Sequence, residues 1–204
     1  MFALILVFLQ FALTSKFIDY DLKSRFDFLI IAPAEAESLC LQYANFKNRI
    51  GVLTRVLTVE EISHDFNGSD LPEKIRNAIR FYRDNFGIRY VLLAGDFNKI
   101  PSRVAYIRFS YSDLSNNIPT DFYYSELRSD WDRNKNGLYG EVEDSIIFFP
   151  EVMVGRIPYH TLQELGGYFE KVKNYKTLWS LQPGVKALIH CADVIGNGLS
   201  YRSL

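Results

Sequence analysis

Short apolar runs alternate with amphipathic stretches along most of the 204-residue chain. The apolar runs have the length of buried strands, and the amphipathic stretches repeat their apolar positions at helical spacing. This alternation predicts an α/β fold with a mostly parallel sheet. The predicted strands are residues 28–32, 52–59, 90–94, 152–157 and 185–191, and the predicted helices are residues 34–47, 71–86 and 162–175.

Two of the predicted helices begin at recognisable caps. Asp70 is followed three residues later by Glu73, with Pro72 in the first turn, where a missing N–H costs little. Thr161 has the same position before the last helix. We therefore expect helices to start at residues 71 and 162.

Residues 100–150, which we call the excursion, break this α/β order. Short extended runs at 104–109 and 122–125 are separated there by Ser, Asn and Pro. The pattern predicts hairpins and loops between two strands of the sheet. The last predicted strand, 185–191, is followed by no amphipathic helix, although a parallel strand is normally buried on both faces. We expect a folding unit that is incomplete at its C-terminus.

The charge balance argues against nucleic acid as a partner. The chain has 23 Lys and Arg against 24 Asp and Glu, for a net charge of −1. It therefore lacks the excess of positive charge that binds phosphate backbones. Nucleotide-binding motifs are also missing from the sequence. Gly196 and Gly198 lack the third glycine of the dinucleotide fingerprint, and there is no P-loop pattern.

Residues 1–13 are almost entirely apolar. The run is too short for a membrane-spanning helix, which needs about 20 apolar residues, but it suits the apolar part of a secretory signal. No Lys or Arg precedes it and no clear cleavage site follows it. We predict a signal segment at residues 1–16, a domain at 17–204 and no stable membrane span. An N-terminal strand or the remnant of a pro-region is the alternative for this run.

The most specific local pattern lies within the excursion, at residues 132–143, which we call the acidic loop. Oxygen-bearing side chains alternate at its first, third and fifth positions, glycine follows, and a carboxylate closes it, as in loops that supply oxygens to Ca²⁺. Glu141 could close the site instead of Glu143, and a plain hairpin turn at Asn136 and Gly137 is the alternative to metal binding. The predicted calcium ligands are Asp132, Asn134, Asn136, the carbonyl oxygen of Leu138, and Glu143.

The cysteines and histidines do not form a convincing catalytic pair. His190 and Cys191 are neighbours in a predicted strand and therefore point to opposite faces of the sheet. Cys40 lies on the apolar face of its predicted helix, which indicates a buried thiol. His64 and His160 lie in polar segments and are expected at the surface or at a cap.

Three aspartates follow predicted strands or lie between them: Asp96, Asp121 and Asp193. The carboxyl ends of parallel strands are where α/β folds usually place chemistry. A solvent-exposed loop aspartate remains the ordinary interpretation of each.

Several segments of the chain form a recognisable series when they are taken in order. They are residues 28–33, 57–62, 70–76, 90–96, 100–101, 119–121, the acidic loop and 154–158. This series resembles the N-terminal half of the gingipain-like cysteine peptidases. The resemblance covers residues 28–193 and implies a caspase-like, three-layer α/β/α fold, calcium-stabilised loops, secretion, and endopeptidase activity by a Cys–His dyad.

In that family the histidine stands in a Gly-His-Gly segment and the nucleophile follows an Ala-Cys, and neither segment occurs here. Asp193 is similar in position to the acidic residue that orients the family's histidine. The resemblance thus implies the front part of a secreted or cell-surface bacterial peptidase, inactive alone, with protein or peptide substrates and the C-terminal remainder of the domain as partners. The alternative is a non-catalytic, calcium-stabilised binding or structural domain of the same fold.

Overall fold

The computed structural model of the chain describes residues 25–108 and 115–181. The strands are β1 (Phe28–Ala32), β2 (Thr54–Thr58), β3 (Tyr90–Ala94), β4 (Arg103–Arg108), β5 (Ser115–Thr120) and β6 (Met153–Ile157). The helices are α1 (Glu37–Arg49), α2 (Val59–Asp65), α3 (Leu71–Phe86), the single turn α4 (Phe122–Ser125) and α5 (Leu162–Leu181), with 3₁₀ turns at Ala34–Ala36 and Val142–Asp144.

Four strands form a parallel sheet in the order β2-β1-β3-β6. Because successive side chains of a strand point to opposite faces, Leu29 and Ile31 lie on one face of β1 and Ile30 on the other. All three are fully buried, so the central strand is covered on both sides. The first face shares a core with Ile75 and Ile79 of α3. This is the predicted α/β fold with a mostly parallel sheet.

The excursion leaves the carboxyl edge of the sheet after β3 and returns at β6. Strands β4 and β5 form an antiparallel hairpin within it, with Arg103 opposite Thr120. A single bridge joins Ala105 to Tyr139 beyond the hairpin. The prediction that residues 122–125 are extended is wrong, because they form the turn α4.

The caps explain where the helices begin. The Asp70 carboxylate accepts a hydrogen bond from the Glu73 N–H at 3.0 Å, as predicted, and Gly87 ends α3 with φ of +74°. The sequence analysis placed residue 59 in the second strand, whereas Thr58 and Glu61 form a capping box that starts α2 there. The pattern Thr58-x-x-Glu61 was readable in the sequence and marks the true end of β2.

The chain divides into two units, Met1–Gly166 and Gly167–Leu204. The elements up to Gly166 belong to the first unit. In the second unit, residues 167–181 continue helix α5, with an ion pair of 2.6 Å between Lys173 and Glu170. The predicted strand 185–191 lies outside the described residues. Within residues 25–108 and 115–181, the helices are too short or too polar to cross a membrane.

Candidate functional site

The carboxyl edge of the sheet is held together by one arginine. Arg156, on β6, donates to both oxygens of Asp121, with Nε–Oδ2 at 2.7 Å and Nη2–Oδ1 at 2.8 Å. Its Nη1 donates to the carbonyl oxygens of Gly95 and Ile100, each at 2.8 Å. Ser102 adds a hydroxyl hydrogen bond to Asp121. We call this group of contacts the Arg156–Asp121 junction.

The junction shows what the quoted segments around residues 96, 100, 121 and 156 have in common. The last of these segments carries the guanidinium of Arg156, and each of the other three supplies an acceptor to it. Two parallel N–H···O bonds between a guanidinium and a carboxylate fix both position and orientation. Because both of its oxygens are used in this way, Asp121 acts as a structural anchor.

Asp96 also has a structural partner. Its Oδ1 accepts hydrogen bonds from the N–H groups of Asn98 and Lys99, each at 3.1 Å, so the side chain caps the turn after β3. Asp193 lies outside the described residues, and its predicted role remains a prediction.

Helix α3 carries three arginines at helical spacing that bind the excursion and Glu151, the residue that follows it. Arg76 donates to the carbonyl oxygens of Tyr123, Glu126 and Ser129. Arg80 donates to the carbonyl oxygen of Leu127 at 2.7 Å, and Arg83 forms an ion pair of 2.6 Å with Glu151. The sequence analysis missed this stripe, although the spacing i, i+4, i+7 of the three arginines was a readable signal.

Glu126 is the buried partner of the first of these arginines. It is fully buried, and its carboxylate accepts from the Trp131 indole N–H at 2.9 Å and from two backbone N–H groups. Burial would raise the pKa of Glu126, but these hydrogen bonds and the charge of Arg76 outweigh it and hold the pKa below its ordinary value. The carboxylate is therefore charged and fully engaged.

Arg103 links the hairpin to the start of α3. Its guanidinium carbon lies 3.9 Å from the ring centre of Tyr139 and 4.6 Å from that of Tyr123. Its Nη atoms donate to the Asp70 carboxylate at 2.6 and 2.8 Å. The cap of α3 thus also serves as the counter-charge of a buried arginine.

In the acidic loop, the predicted ligand side chains turn toward one another. Asn134 and Asn136 both donate their amide N–H groups to the same oxygen of Glu141, the second at 2.6 Å. Both oxygens of Asp132 lie 3.2 Å from the Gly137 N–H. Glu143, the predicted closing residue, is exposed and makes no hydrogen bond or ion pair within residues 25–108 and 115–181.

The base of the acidic loop is closed by Asp144, a residue that the sequence analysis did not single out. The buried Asp144 accepts from the N–H groups of Arg133 at 2.8 Å and Gly140 at 3.0 Å. Gly140 has φ of +80°, and a Cβ added there would lie 3.1 Å from the ring of Trp131. The loop is thus fixed at its base while its exposed tip holds the acceptor side chains.

The thiol and imidazole groups of the described residues do not form a catalytic pair. Cys40 is fully buried, and burial raises the pKa of its thiol to about 12, so the nucleophilic thiolate is suppressed. His64 is exposed beside Asp65, and the exposed His160 donates its backbone N–H to Glu164. These positions agree with the predicted structural roles, while His190 and Cys191 lie outside the described residues.

Residues 25–108 and 115–181 contain no group of three or more His, Cys, Asp or Glu side chains arranged to hold a metal ion. The acidic loop offers the carboxylates of Asp132, Glu141 and the exposed Glu143, and otherwise amide and carbonyl oxygens.

Three solved structures are similar to the chain in fold. One is the complex of the pro- and mature domains of RgpB from Porphyromonas gingivalis, with 19% identity and a TM-score of 0.51 over 73% of this chain and 29% of that one. A second is the Arg-specific cysteine proteinase gingipain R (RgpB), with 19% identity and a TM-score of 0.51 over 77% and 29%. The third is described only as a protease, with 17% identity and a TM-score of 0.53 over 80% and 31%.

The chain therefore spans less than a third of the length of each of these solved proteins. No curated protein matches the sequence significantly. The model of Peptidase family C25 matches residues 21–201, which is most of the chain. Together with the gingipain-like fold, this match shows that the chain belongs to peptidase family C25, a family of cysteine peptidases.

Proposed function

We propose that this chain is the N-terminal part of a secreted, bacterial, cysteine-type endopeptidase whose Cys–His dyad lies downstream of residue 204. The observation that carries the proposal is the family match over residues 21–201. The Arg156–Asp121 junction supports it, because four of the segments that resemble the family meet there and build a rigid carboxyl edge. In this role the described residues position the remainder of the domain, and Asp193 orients the dyad histidine.

The proposal is tested by peptidase assays of two proteins. The 204-residue chain is incubated with a labelled protein substrate, alone and with a thiol alkylator, and we expect no cleavage. The chain extended by the sequence that follows in its reading frame should cleave the substrate, and replacement of the cysteine after the first downstream Gly-His-Gly segment should abolish cleavage. Alkylator-sensitive cleavage by residues 1–204 would overturn the proposal, as would a stop codon directly after Leu204.

Secretion is the second part of the proposal, and it rests on the apolar run at residues 1–13. Expression of the full chain in a bacterial host should release protein that lacks the first residues into the periplasm or medium. A chain with Leu6→Arg should stay in the cytoplasm with its N-terminus intact. Retention of both proteins would contradict secretion.

We further propose that the acidic loop binds Ca²⁺ through Asp132, Asn134, Asn136, the carbonyl oxygen of Leu138 and a closing carboxylate. The donor set fits a hard cation, which prefers oxygen ligands. Asn134 and Asn136 already converge on one oxygen of Glu141. A half-turn of each amide would present its oxygen in place of its nitrogen. These contacts favour Glu141 as the closing residue, with Glu143 as the alternative from the sequence pattern.

Calorimetric titration separates these choices. Ca²⁺ binding to the full chain should be lost in Asp132→Ala and strongly weakened in Glu141→Gln, whereas Glu143→Gln should bind as the parent does. At a free calcium concentration of 100 Kd, the ion should stabilise the fold by about 2.7 kcal/mol, so chelation lowers Tm. Equal heats for the parent and Asp132→Ala, or no heat from either, would contradict calcium binding.

If the peptidase proposal fails and calcium binding holds, the second candidate function is a non-catalytic, calcium-stabilised binding or structural domain. The converging side chains of the acidic loop are the observation that favours it.

A further inference from the structure

Two Asn-Gly pairs lie in the described part of the chain, Asn67-Gly68 and Asn136-Gly137, and both asparagines are exposed to water. Asparagine is a thermolabile residue. The backbone nitrogen of the residue that follows it can attack the carbon of its side-chain amide, and glycine, which has no Cβ, leaves that nitrogen unshielded. The sequence makes the two pairs equal candidates for this reaction, so a difference between them has to come from the structure.

Gly137 presents its nitrogen in an open part of the acidic loop. It has φ of +81°, and a Cβ added there would meet no atom within 4 Å. Its N–H group donates to the Asp132 carboxylate, with both carboxylate oxygens 3.2 Å from the nitrogen. A carboxylate in this position can take the N–H proton as the nitrogen attacks, which is the task of a general base.

The side-chain amide of Asn136 is held at both of its ends. The Leu138 N–H donates to its Oδ1 at 2.8 Å, and its Nδ2 donates to Glu141 at 2.6 Å. A backbone N–H aimed at a carbonyl oxygen stabilises the negative charge that develops on that oxygen during attack. The loop therefore places a base and an oxyanion donor on either side of the reacting atoms.

The pair at Asn67 and Gly68 has a different environment. A Cβ added to Gly68 would lie 2.8 Å from the Lys74 backbone nitrogen and 3.1 Å from the Glu73 carbonyl carbon, so other backbone packs closely against it. Among the described residues, neither the Asn67 amide nor the Gly68 N–H has a hydrogen-bond partner. The attacking nitrogen of this pair thus lacks both the open space and the neighbouring carboxylate that Gly137 has.

We propose that Asn136 deamidates within the folded chain, with Asp132 as the general base and the Leu138 N–H as the oxyanion donor. The Gly137 nitrogen bonds to the carbon of the Asn136 side-chain amide and closes a succinimide ring. The bond from that carbon to Nδ2 breaks, and Nδ2 leaves as ammonia with the proton that Asp132 took from Gly137. Water then opens the ring at either carbonyl group and leaves aspartate or isoaspartate at position 136.

The product changes the contact that closes the tip of the acidic loop. An amide that donates to Glu141 becomes a carboxylate, and two carboxylates in contact repel each other. Isoaspartate in addition routes the backbone through the former side chain. Deamidation therefore releases the tip, while the contacts of Asp144 at the base of the loop remain. The reaction needs neither a downstream dyad nor a metal ion, so it holds or fails independently of the peptidase and calcium proposals.

Peptide mapping by mass spectrometry tests the proposal on the full 204-residue chain. The protein is incubated at neutral pH with a chelator, which keeps metal ions away from Asp132, and the exchange of NH₂ for OH is followed at each asparagine. We expect Asn136 to react about ten- to a hundredfold faster than Asn67, up to the low end of what a positioned general base contributes. In urea that unfolds the chain the two rates should become similar, because both sites are Asn-Gly pairs.

Two conservative variants assign the chemistry. Asp132→Asn keeps an oxygen that can accept from the Gly137 N–H but removes the base, so it should slow the reaction at Asn136 about tenfold or more and leave Asn67 unchanged. The matched control is Asp65→Asn, which removes a carboxylate close in sequence to Asn67 and should change neither rate. Circular dichroism of each variant checks that the fold is kept.

Three results would overturn the proposal: equal rates at Asn136 and Asn67 in the folded chain, a rate ratio in urea that equals the ratio in the folded chain, or an undiminished rate at Asn136 in Asp132→Asn. A faster reaction in that variant would show that the Asp132 carboxylate protects the Gly137 nitrogen instead of activating it.

Discussion

The Arg156–Asp121 junction and the acidic loop both consist of polar side chains, but they differ in burial and in the origin of their hydrogen-bond partners. In the junction, Arg156 is 9% exposed and donates to acceptors from three segments of the chain. In the acidic loop, Asn134 and Asn136 are exposed and bond only to a neighbouring carboxylate and to local backbone. The junction has matched donors and acceptors, whereas the loop has oxygens in excess. The motif residues of the junction hold the fold, whereas those of the acidic loop make local contacts and are the ones to which we assign calcium in our proposal.

The largest expected loss of stability follows from removing the arginine of the junction. Arg156→Met should lower the free energy of unfolding by about 3–5 kcal/mol, because it leaves Asp121 without its counter-charge and several carbonyl oxygens without donors. Urea denaturation measures the change. The control is Arg133→Met on the exposed acidic loop, which should stay within about 0.5 kcal/mol of the parent. A similar, small effect of both changes would show that the junction is not what holds the carboxyl edge.

Two glycines of the acidic loop allow a finer comparison. Gly137 and Gly140 both have positive φ, but a Cβ at Gly137 meets open space, whereas one at Gly140 meets the Trp131 ring. Gly137→Ala should cost about 1–2 kcal/mol from its backbone conformation alone. Gly140→Ala should cost about 1–3 kcal/mol more, because Trp131 is held by Glu126 and cannot easily move. Thermal unfolding in the presence of a chelator measures both.

Equal losses for the two variants would show that Trp131 can move away from the added Cβ. The base of the loop at Asp144 would then be less rigid than its hydrogen bonds indicate.

The smallest expected effect is in the acid unfolding of the protein, where the ion pair of Asp70 and Arg103 can be tested. Burial would raise the pKa of Asp70, but hydrogen bonds from Arg103 and the Glu73 N–H outweigh it and hold the pKa below its ordinary value. A carboxyl whose pKa is lowered by folding stabilises the protein above its unfolded pKa of about 3.9, and that contribution is lost as the pH falls below it. Asp70→Asn should therefore be less stable at neutral pH and lose less stability between about pH 4 and pH 2.

The measurement is urea denaturation of the two proteins at a series of pH values. Parallel curves would show that the ion pair of Asp70 and Arg103 does not contribute to acid unfolding.

The sheet was the most predictable part of the molecule. The strands at residues 28–32 and 90–94 agree with the sequence prediction because an apolar run buried on both faces has few alternatives. The caps at Asp70 and Thr161 are also confirmed, since each depends on local chemistry alone. Residues 122–125 form the turn α4 against prediction. Tyr123 and Tyr124 have strand propensity, but tertiary packing buries both, with Tyr123 beside Arg76 and Trp131.

The site was predictable only where the partners are close in sequence. The acidic loop could be identified from its spacing because its interacting side chains lie within twelve positions. Arg156 and Asp121 are 35 residues apart, so their pairing depends on the strand order and on the return of the excursion. The same is true of Arg76 and Glu126, which are separated by 50 residues. A single sequence gives the residue types at such sites without giving their partners.

The arginine stripe on α3 has a consequence for the order of folding. Its contacts to Tyr123, Glu126, Leu127 and Ser129 span 47 to 53 residues of chain. Contacts of that separation pay a large loop-closure entropy and form after local helices and neighbouring strands. The segment that the stripe contacts, residues 123–129, has regular structure only in the single turn α4, so it docks onto a helix that already exists. Helix α3 is thus already formed when this segment packs against it, and loss of Arg76 should mainly speed unfolding, with a smaller effect on the refolding rate.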